Sequence, residues 1–381
     1  MTDSITPFML SIPDSELELL RRRLGETRWP NAETADGWVQ GVPLACAKAL
    51  VEYWRTAYDW RRCESKLNGF GQFRTTIDGL GIHFLHVRSK HPDALPLLMT
   101  HGWPGSVIEF HKVIGPLSDP TAHGGKASNA FHVVAPSLPG YGFSDKPARK
   151  GWNVDRIADA WITLMRRLGY QRYVAQGGDW GSVITTTIAQ KRPAELAGIH
   201  VNLIAAPPQP LSDPPTPEEQ DAVAAGQLYQ TAENGYALAQ ATKPQTLGYG
   251  LADSPAGQAM WIYEKFQSWT DCGGDPESLL TRDEILDNIM LYWLTNSGAS
   301  SARLYWESFA SQVGRLSAGV DVPSGFSLFP KELVRPPRAW VERVFSNIIH
   351  WNKLPRGGHF AAFEQPEIFV DEVRACFRSL R

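Results

Sequence analysis

The residues best placed to do chemistry surround Asp179, in a pentapeptide at 177–181 that reads Gly-Gly-Asp-Trp-Gly. A short β-prone segment at 173–176 precedes it, and a segment able to start a helix follows at 182–185. A nucleophile flanked by small residues between a strand and a helix is typical of a sharp, strained turn that has no room for a Cβ. A carboxylate in that turn attacks an sp³ carbon rather than an acyl carbonyl. The alternative interpretation is that Asp179 only caps the following helix.

A second segment could stabilise negative charge beside Asp179. Residues 101–106 read His-Gly-Trp-Pro-Gly-Ser and follow a predicted strand at 95–100. A loop of this kind turns one backbone N–H, here that of Trp103, toward the nucleophile. The N–H of Trp180 is predicted to be the second oxyanion-hole donor. His101 is interpreted as structural and not as a base, because it stands at the start of this loop instead of following the last strand.

A histidine and an acid complete the constellation. His359 lies in a Gly-Gly-His-Phe loop after the last predicted strand, and the order nucleophile, acid, histidine is the one that α/β-hydrolase folds use. The acid is predicted to be Glu332, because it follows the strand at 324–329 at the edge where catalytic side chains of such sheets cluster. Asp321 and Glu342 compete for this role, but neither lies at the carboxyl end of a strand.

The elements that must position these residues alternate between strand and helix. A β-hairpin with a glycine turn is predicted over 73–87 and an amphipathic helix over 153–168. Further strands are predicted at 95–100, 131–136, 173–176, 198–204, 324–329 and 346–351. This alternation predicts an α/β protein with a doubly wound, mostly parallel sheet, which is the α/β-hydrolase fold.

The chain divides into four predicted parts. A helical extension covers 1–68, with helices expected from about residue 14 and over 43–62, and the first part of the α/β core covers 69–206. A proline-rich stretch then opens an aromatic-rich helical lid over 207–318, and the core resumes over 319–381. The alternative for the lid is an independent helical module.

Bulk composition excludes several classes of function. With 381 residues and a net charge of −3, the chain lacks the basic footprint of a nucleic-acid or anionic-membrane binder. No three-glycine dinucleotide turn, P-loop or CxxC pair occurs, so neither an organic cofactor nor a metal is expected. Four widely spaced cysteines, the lack of a signal peptide and the lack of a long apolar run predict a cytoplasmic protein without a membrane span.

Together these motifs resemble the microsomal-type epoxide hydrolases. The resemblance covers nearly the whole chain and includes Arg-Trp-Pro at 28–30 in the N-terminal extension. The core strings that carry it lie at 101–106, 177–181, 329–332 and 356–364, the last reading Arg-Gly-Gly-His-Phe-Ala-Ala-Phe-Glu. Mammalian members carry an N-terminal membrane anchor that this sequence lacks, so a soluble relative is expected.

The resemblance implies a mechanism and two further site residues. Tyr236 and Tyr305, two of the six tyrosines in the lid, would hold the epoxide oxygen while Asp179 attacks a ring carbon. His359, oriented by Glu332, would then activate water to hydrolyse the ester and release a vicinal diol. The aromatic lid predicts an apolar or aromatic small-molecule epoxide. The sequence leaves open its identity, the selectivity, the role in detoxification, catabolism or biosynthesis, and whether the chain forms a homodimer.

Two other functions compete with this interpretation. Haloalkane and haloacid dehalogenases also use Asp in this turn, but their lids need halide-binding donors such as Trp and Asn. A catalytically silent binding protein on the same fold is the second alternative. It would have no need to retain Glu332 and His359 together.

Overall fold

A nine-stranded sheet organises the computed structural model, which describes residues 4–309 and 319–381. The order across the sheet is β1-β2-β3-β5-β4-β6-β7-β8-β9. From β5 to β9 all neighbours are parallel, whereas β1, β2, β3 and β5 pair antiparallel. The strands are β1 Thr6–Pro7, β2 Gln72–Ile77, β3 Leu80–Val87, β4 Leu95–Thr100, β5 Phe131–Pro136, β6 Tyr173–Gly177, β7 Leu196–Val201, β8 Ser324–Leu328 and β9 Ile348–Lys353. The prediction of an α/β-hydrolase sheet is confirmed.

Helices cover both faces of the sheet and form the extension and the lid. In the core these are α4 Ile114–Ser118, α5 Val154–Arg167, α6 Trp180–Lys191, α13 Arg338–Val341, α14 Ala361–Glu364 and α15 Pro366–Cys376. The extension contains α1 Asp14–Gly25, α2 Leu44–Thr56 and α3 Trp60–Gly69. Between β7 and β8 lie α7 Pro217–Leu228, α8 Gly235–Thr242, α9 Pro244–Asp253, α10 Pro255–Trp269, α11 Arg282–Trp293 and α12 Gly298–Ser308.

The predicted helix over 43–62 is wrong as a single element. The chain forms α2 and α3 instead, because Asp59 leaves the helical conformation and its carboxylate accepts a hydrogen bond from the Arg61 N–H at the start of α3. An aspartate in this N-cap position begins a new helix rather than continuing the old one.

Most strand predictions are confirmed to within two residues, and the hairpin is confirmed with its turn. Asp78 and Gly79 there both have positive φ, 51° and 78°, as a tight two-residue hairpin turn requires. The exception is β7, predicted at 198–204, which ends at Val201. The chain leaves the sheet there because the Leu203 N–H donates to the Ser182 hydroxyl.

Alternation along the central strands explains why both faces of the sheet are covered. Leu97 and Val174 belong to one apolar cluster, and Leu98 and Ala175 belong to the other. Successive side chains of a strand point to opposite faces, so each buried strand contributes to two cores. The parallel strands can therefore be apolar throughout.

The N-terminal extension packs against the lid. The Tyr58 hydroxyl donates to Asp287 in α11 at 2.8 Å, and Arg62 pairs with the same carboxylate at 2.8 Å. The Trp54 indole N–H contacts the Met290 sulfur at 3.3 Å. The four-part division of the chain remains a prediction, since its lid boundary at 318 lies outside the described residues. Within residues 4–309 and 319–381, the helices are too short or too polar to cross a bilayer.

Candidate active site

Asp179 lies in the turn between β6 and α6, at the carboxyl edge of the sheet. Its φ of 50° and ψ of −129° are strained for a residue with a Cβ, at a cost of about 1–3 kcal/mol. A Cβ on Gly181 would lie 1.9 Å from the Thr100 carbonyl oxygen, and a Cβ on Gly177 would lie 2.1 Å from the Gly181 carbonyl oxygen. The glycines are therefore required by close packing. Although Asp179 is the residue that precedes α6, its carboxylate makes no capping hydrogen bond, so the capping interpretation is wrong.

The His-Gly-Trp-Pro loop meets the carboxylate of Asp179. The Trp103 backbone N–H donates to Asp179 Oδ1 at 2.8 Å. A Cβ on Gly102 would lie 2.0 Å from the same oxygen, so only glycine lets the carboxylate approach the loop. The Trp180 N–H, at the first turn of α6, makes no hydrogen bond to Asp179 in the described part of the chain. As a first-turn amide it has no partner within the helix.

His359 and Glu332 complete the geometry on the other side of the carboxylate. His359 Nε2 lies 3.3 Å from Asp179 Oδ2, and its Nδ1 lies 2.7 Å from Glu332 Oε1. The side chains of His359 and Glu332 are 2% and 1% exposed, whereas that of Asp179 is 15% exposed. The acid and the base are thus sealed by protein, and the predicted nucleophile alone remains accessible.

The charges around His359 favour its protonated form. Burial alone would lower the pKa of His359, but the Glu332 and Asp179 carboxylates outweigh burial and raise this pKa well above its usual range. Loss of the charge on either carboxylate must therefore lower the pKa of His359.

The two tyrosines expected from the resemblance lie over this site. Tyr236 in α8 and Tyr305 in α12 are 5% and 3% exposed, with ring centroids 5.8 Å apart. Tyr236 stacks on the Trp103 indole at 4.9 Å, and Tyr305 meets the Trp180 indole edge-on at 4.8 Å. Burial, with a smaller effect of the Asp179 charge, raises the pKa of both phenols well above the usual value. Both hydroxyls are therefore protonated and able to donate a hydrogen bond.

The competing acids and His101 lie in structural positions. Asp321 pairs with Arg192 at 2.9 Å and Glu342 pairs with Arg338 at 2.7 Å, both as exposed ion pairs.

The His101 Nδ1 donates to the Gly102 carbonyl oxygen, and its Nε2 accepts a hydrogen bond from the Leu138 backbone N–H. Burial lowers the pKa of His101 to about 4, so this imidazole is neutral, as its structural interpretation requires.

Similarity to known proteins covers the whole chain. A family model described as the epoxide hydrolase N terminus matches residues 5–110, and one described as the alpha/beta hydrolase fold matches residues 96–252. A protein of Stigmatella aurantiaca (strain DW4/3-1) that carries an epoxide hydrolase name is 62% identical over 379 residues, covering 99% of this chain and 86% of the relative. Epoxide hydrolase 1 of Sus scrofa is 37% identical, and the match covers 98% of this chain and 88% of the relative. The chain belongs to the epoxide hydrolase family.

Solved structures of the epoxide hydrolase family extend this similarity to the fold. The juvenile hormone epoxide hydrolase of Bombyx mori has a TM-score of 0.90 and 34% identity, covering 100% of this chain and 96% of that one. Aspergillus niger epoxide hydrolase has a TM-score of 0.89 and 33% identity, covering 99% and 97%.

Two residues of this epoxide hydrolase family member lie beside Tyr236 and were missed in the sequence. The Tyr229 hydroxyl lies 3.2 Å from the Tyr236 hydroxyl. The buried ammonium of Lys265 lies 4.7 Å from the centre of the Tyr236 ring, where a cation is attracted to the ring face. Tyr229 precedes Tyr236 by seven residues, and this two-turn helical spacing was the available signal.

A set of hydrogen bonds between lid and core fixes the loop that carries His359. The His359 N–H donates to the Trp269 carbonyl oxygen at 2.8 Å, and the Gly357 N–H donates to Asp271 Oδ2 at 3.0 Å. In return the Asp271 N–H donates to Glu364 Oε2 at 3.0 Å. The end of lid helix α10 thus positions the histidine loop, a contact between distant segments that no local pattern could indicate.

Proposed function

We propose that this chain adds water to an apolar or aromatic epoxide through an ester on Asp179 and releases a vicinal diol. One observation carries the proposal. The accessible Asp179 carboxylate lies between a backbone N–H donor and a buried His–Glu pair, beneath two protonated phenols. This set of groups can serve both the opening of an epoxide and the hydrolysis of the resulting ester.

Ring opening comes first. Tyr236 and Tyr305 donate hydrogen bonds to the epoxide oxygen, which gains negative charge as its bond to carbon breaks. Because the Trp103 N–H holds Asp179 Oδ1, Oδ2 is the oxygen that attacks the ring carbon from the opposite side. A new C–O bond forms, the ring C–O bond breaks, and the ring oxygen takes the proton of one of the two phenols to become a hydroxyl group.

Ester formation then prepares His359 for its role as base. The Asp179 carboxylate loses its charge, which removes one of the two carboxylates that raise the pKa of His359. The imidazole can therefore give up its proton to the phenolate that ring opening leaves, and it can then accept a proton from water. Glu332 keeps the Nδ1 side oriented and stabilises the imidazolium as it forms again.

Hydrolysis of the ester completes the cycle. His359 Nε2 removes a proton from water while the water oxygen attacks the Asp179 carbonyl carbon. The oxyanion develops on Oδ1, where Trp103 already donates and where the Trp180 N–H is proposed to add a second bond. The bond from the carbonyl carbon to Oδ2 breaks, and Oδ2 leaves with the substrate as the second hydroxyl group of the diol, taking the proton from His359. The new Asp179 carboxyl group then passes the remaining water proton to His359, which restores the starting state.

Aromatic rings support the proposed substrate class. The indoles of Trp103, Trp180 and Trp269 lie among the two tyrosines and His359. A pocket lined by such rings favours apolar and aromatic ligands.

Turnover of an epoxide panel, compared with turnover of a matched haloalkane panel, tests the proposal. Diol from epoxides, lost in Asp179→Ala, supports it, whereas halide release without diol favours a dehalogenase.

The remaining proposals concern location and assembly. Cys46, Cys63, Cys272 and Cys376 are all free, which suits a reducing compartment and supports a cytoplasmic location. The only partner that the chemistry requires is the small-molecule epoxide. A homodimer stays a prediction, which light scattering of the purified chain measures directly.

A further inference from the structure

A buried carboxyl group that the proposed chemistry does not use lies on the same loop as the Asp179 carboxylate. Glu109 belongs to a short 3₁₀ helix, Val107–Phe110, and its Oε1 accepts a hydrogen bond from the Ser106 N–H at 3.0 Å. A Cβ on Gly105 would lie 1.3 Å from Glu109 Oε1. Glycine at this position is therefore what allows the carboxyl group to lie against the loop.

The carboxyl groups of Asp179 and Glu109 lie against two glycines that are three residues apart in one loop. That of Asp179 covers Gly102, and that of Glu109 covers Gly105. Three residues span at most about 11 Å even when fully extended, so the two positions are no farther apart than that, and the charges of both His359 and Asp179 act on Glu109. The helix that carries Glu109 also packs against α14, which begins two residues after His359.

The electrostatics of Glu109 agree with this proximity. Burial, together with the Asp179 charge, raises the pKa of Glu109 to about 8, although His359 and the Ser106 N–H act to lower it. Above about pH 8 the Glu109 carboxyl group is therefore ionised, and both of its oxygens can accept hydrogen bonds.

Glu109 borders accessible space, although it lies deep in the protein. Protein surrounds its carboxyl group, yet the residue keeps part of its surface accessible. Within residues 4–309 and 319–381, Oε1 bonds Ser106 while Oε2 has no hydrogen-bond partner and is not sealed by packing. A small polar molecule in this space would find a free acceptor.

We propose that Glu109 holds the water that hydrolyses the Asp179 ester. Oε2 accepts one O–H of this water, His359 Nε2 takes the proton of the other O–H, and the water oxygen attacks the ester carbonyl carbon of Asp179. Glu109 neither gains nor loses a proton in this step. The inference rests on the proposed function, and it assigns to Glu109 a role in ester hydrolysis but none in ring opening.

Rapid-mixing kinetics can test this role. The substrate is an epoxide that the wild-type chain has been found to convert. At about pH 9, where Glu109 is ionised, Glu109→Gln keeps an oxygen for the Ser106 N–H but removes the charged acceptor. We expect ester hydrolysis to slow about ten- to a hundredfold while ester formation stays within about twofold, in line with the loss of one positioned hydrogen bond to a charged group. Glu109→Asp, which withdraws the carboxylate from the water, should give the same selective loss even if the glutamine variant folds poorly.

A matched control separates this role from helix capping. Glu219 makes the same kind of capping box with Thr216 at the start of α7, so Glu219→Gln loses a cap without altering the site. We expect it to leave both rate constants within about twofold, because a lost cap costs only about 1 kcal/mol of stability. Unchanged hydrolysis in both Glu109 variants, or an equal loss in both steps, would overturn the inference while leaving the proposed function intact. Wild-type chain that forms no diol from any epoxide would overturn both.

Discussion

The core edge and the lid hold their reactive groups by different means. At the core edge, backbone geometry fixes Asp179: glycines with no room for a Cβ surround it, and the Trp103 N–H binds it at 2.8 Å. In the lid, Tyr236 and Tyr305 are held by packing of their rings on two indoles. From this difference we infer that the lid acts in ring opening, whereas the core edge acts in both ring opening and ester hydrolysis.

The largest effect should come from the residue that both steps share. Asp179→Ala removes the nucleophile, and we expect kcat/KM for an epoxide to fall by about 10⁴-fold or more, as for other covalent nucleophiles. Intact-mass analysis should then find no adduct. Asp321→Ala, which breaks only an exposed ion pair with Arg192, is the control and should keep full activity. Residual ester formation in Asp179→Ala would contradict the assignment.

The next largest effect should separate the two steps within the core edge. His359→Gln removes the base, so ester should form but persist, and kcat should fall by about 10²–10⁴-fold. Rapid quenching followed by intact-mass analysis measures the accumulated ester. Equal loss of ester formation would mean that His359 also serves ring opening, and the division between the regions would fail.

The lid should show the opposite selectivity. Tyr236→Phe and Tyr305→Phe each remove one donor to the epoxide oxygen, and we expect ester formation to slow by about 10–10³-fold, most in the double variant. Ester hydrolysis should stay within about twofold. Tyr249→Phe is the control, since this lid tyrosine is 70% exposed. A lid variant that slows hydrolysis as strongly as formation would break the distinction.

A smaller effect with a defined sign is expected at Glu332. This carboxylate raises the pKa of His359, so Glu332→Gln must lower that pKa, and the acidic limb of the pH profile of ester hydrolysis must move to lower pH. The maximum rate should also fall by about tenfold, because the imidazole loses its orienting partner. Stopped-flow rates across pH measure both. An acidic limb that moves to higher pH would contradict the electrostatics.

The smallest effect should arise where lid and core meet. Asp271→Asn weakens the hydrogen bond from the Gly357 N–H, and we expect the free energy of unfolding to fall by about 1–2 kcal/mol, with ester hydrolysis slowed by less than about fivefold. Asp253→Asn is the matched control, because Asp253 is 85% exposed in its ion pair with Arg23 and such pairs contribute about 0–1 kcal/mol. Chemical denaturation of both variants measures the difference.

The sequence predicted the core edge better than the lid for a physical reason. The turn at Asp179 and the loop at Trp103 require glycine at fixed spacing because backbone approaches backbone there, so local patterns carry the information. Tyr236 and Tyr305 came from resemblance alone, since any of six lid tyrosines could face the site. Tyr229, Lys265 and the carboxyl group of Glu109 were missed, because their roles depend on which distant segments pack against them.

The N-terminal extension illustrates the same limit. One helix was expected over 43–62, and the break at Asp59 went unrecognised although an aspartate before a tryptophan is an ordinary helix start. Its packing on α11 through Tyr58 and Asp287 joins residues 229 positions apart. A contact between residues so far apart cannot be predicted from the spacing of residues along the chain.

Single turnover in ¹⁸O-water tests the central claim most directly. Enzyme in excess over one epoxide is quenched after one cycle, and the peptide that contains Asp179 and the diol are each analysed by mass spectrometry. The ester route predicts label in the Asp179 carboxylate and an unlabelled diol, because water attacks the carbonyl carbon of the residue itself. Label confined to the diol would mean that water attacks the epoxide directly, and would contradict the role of Asp179 as nucleophile.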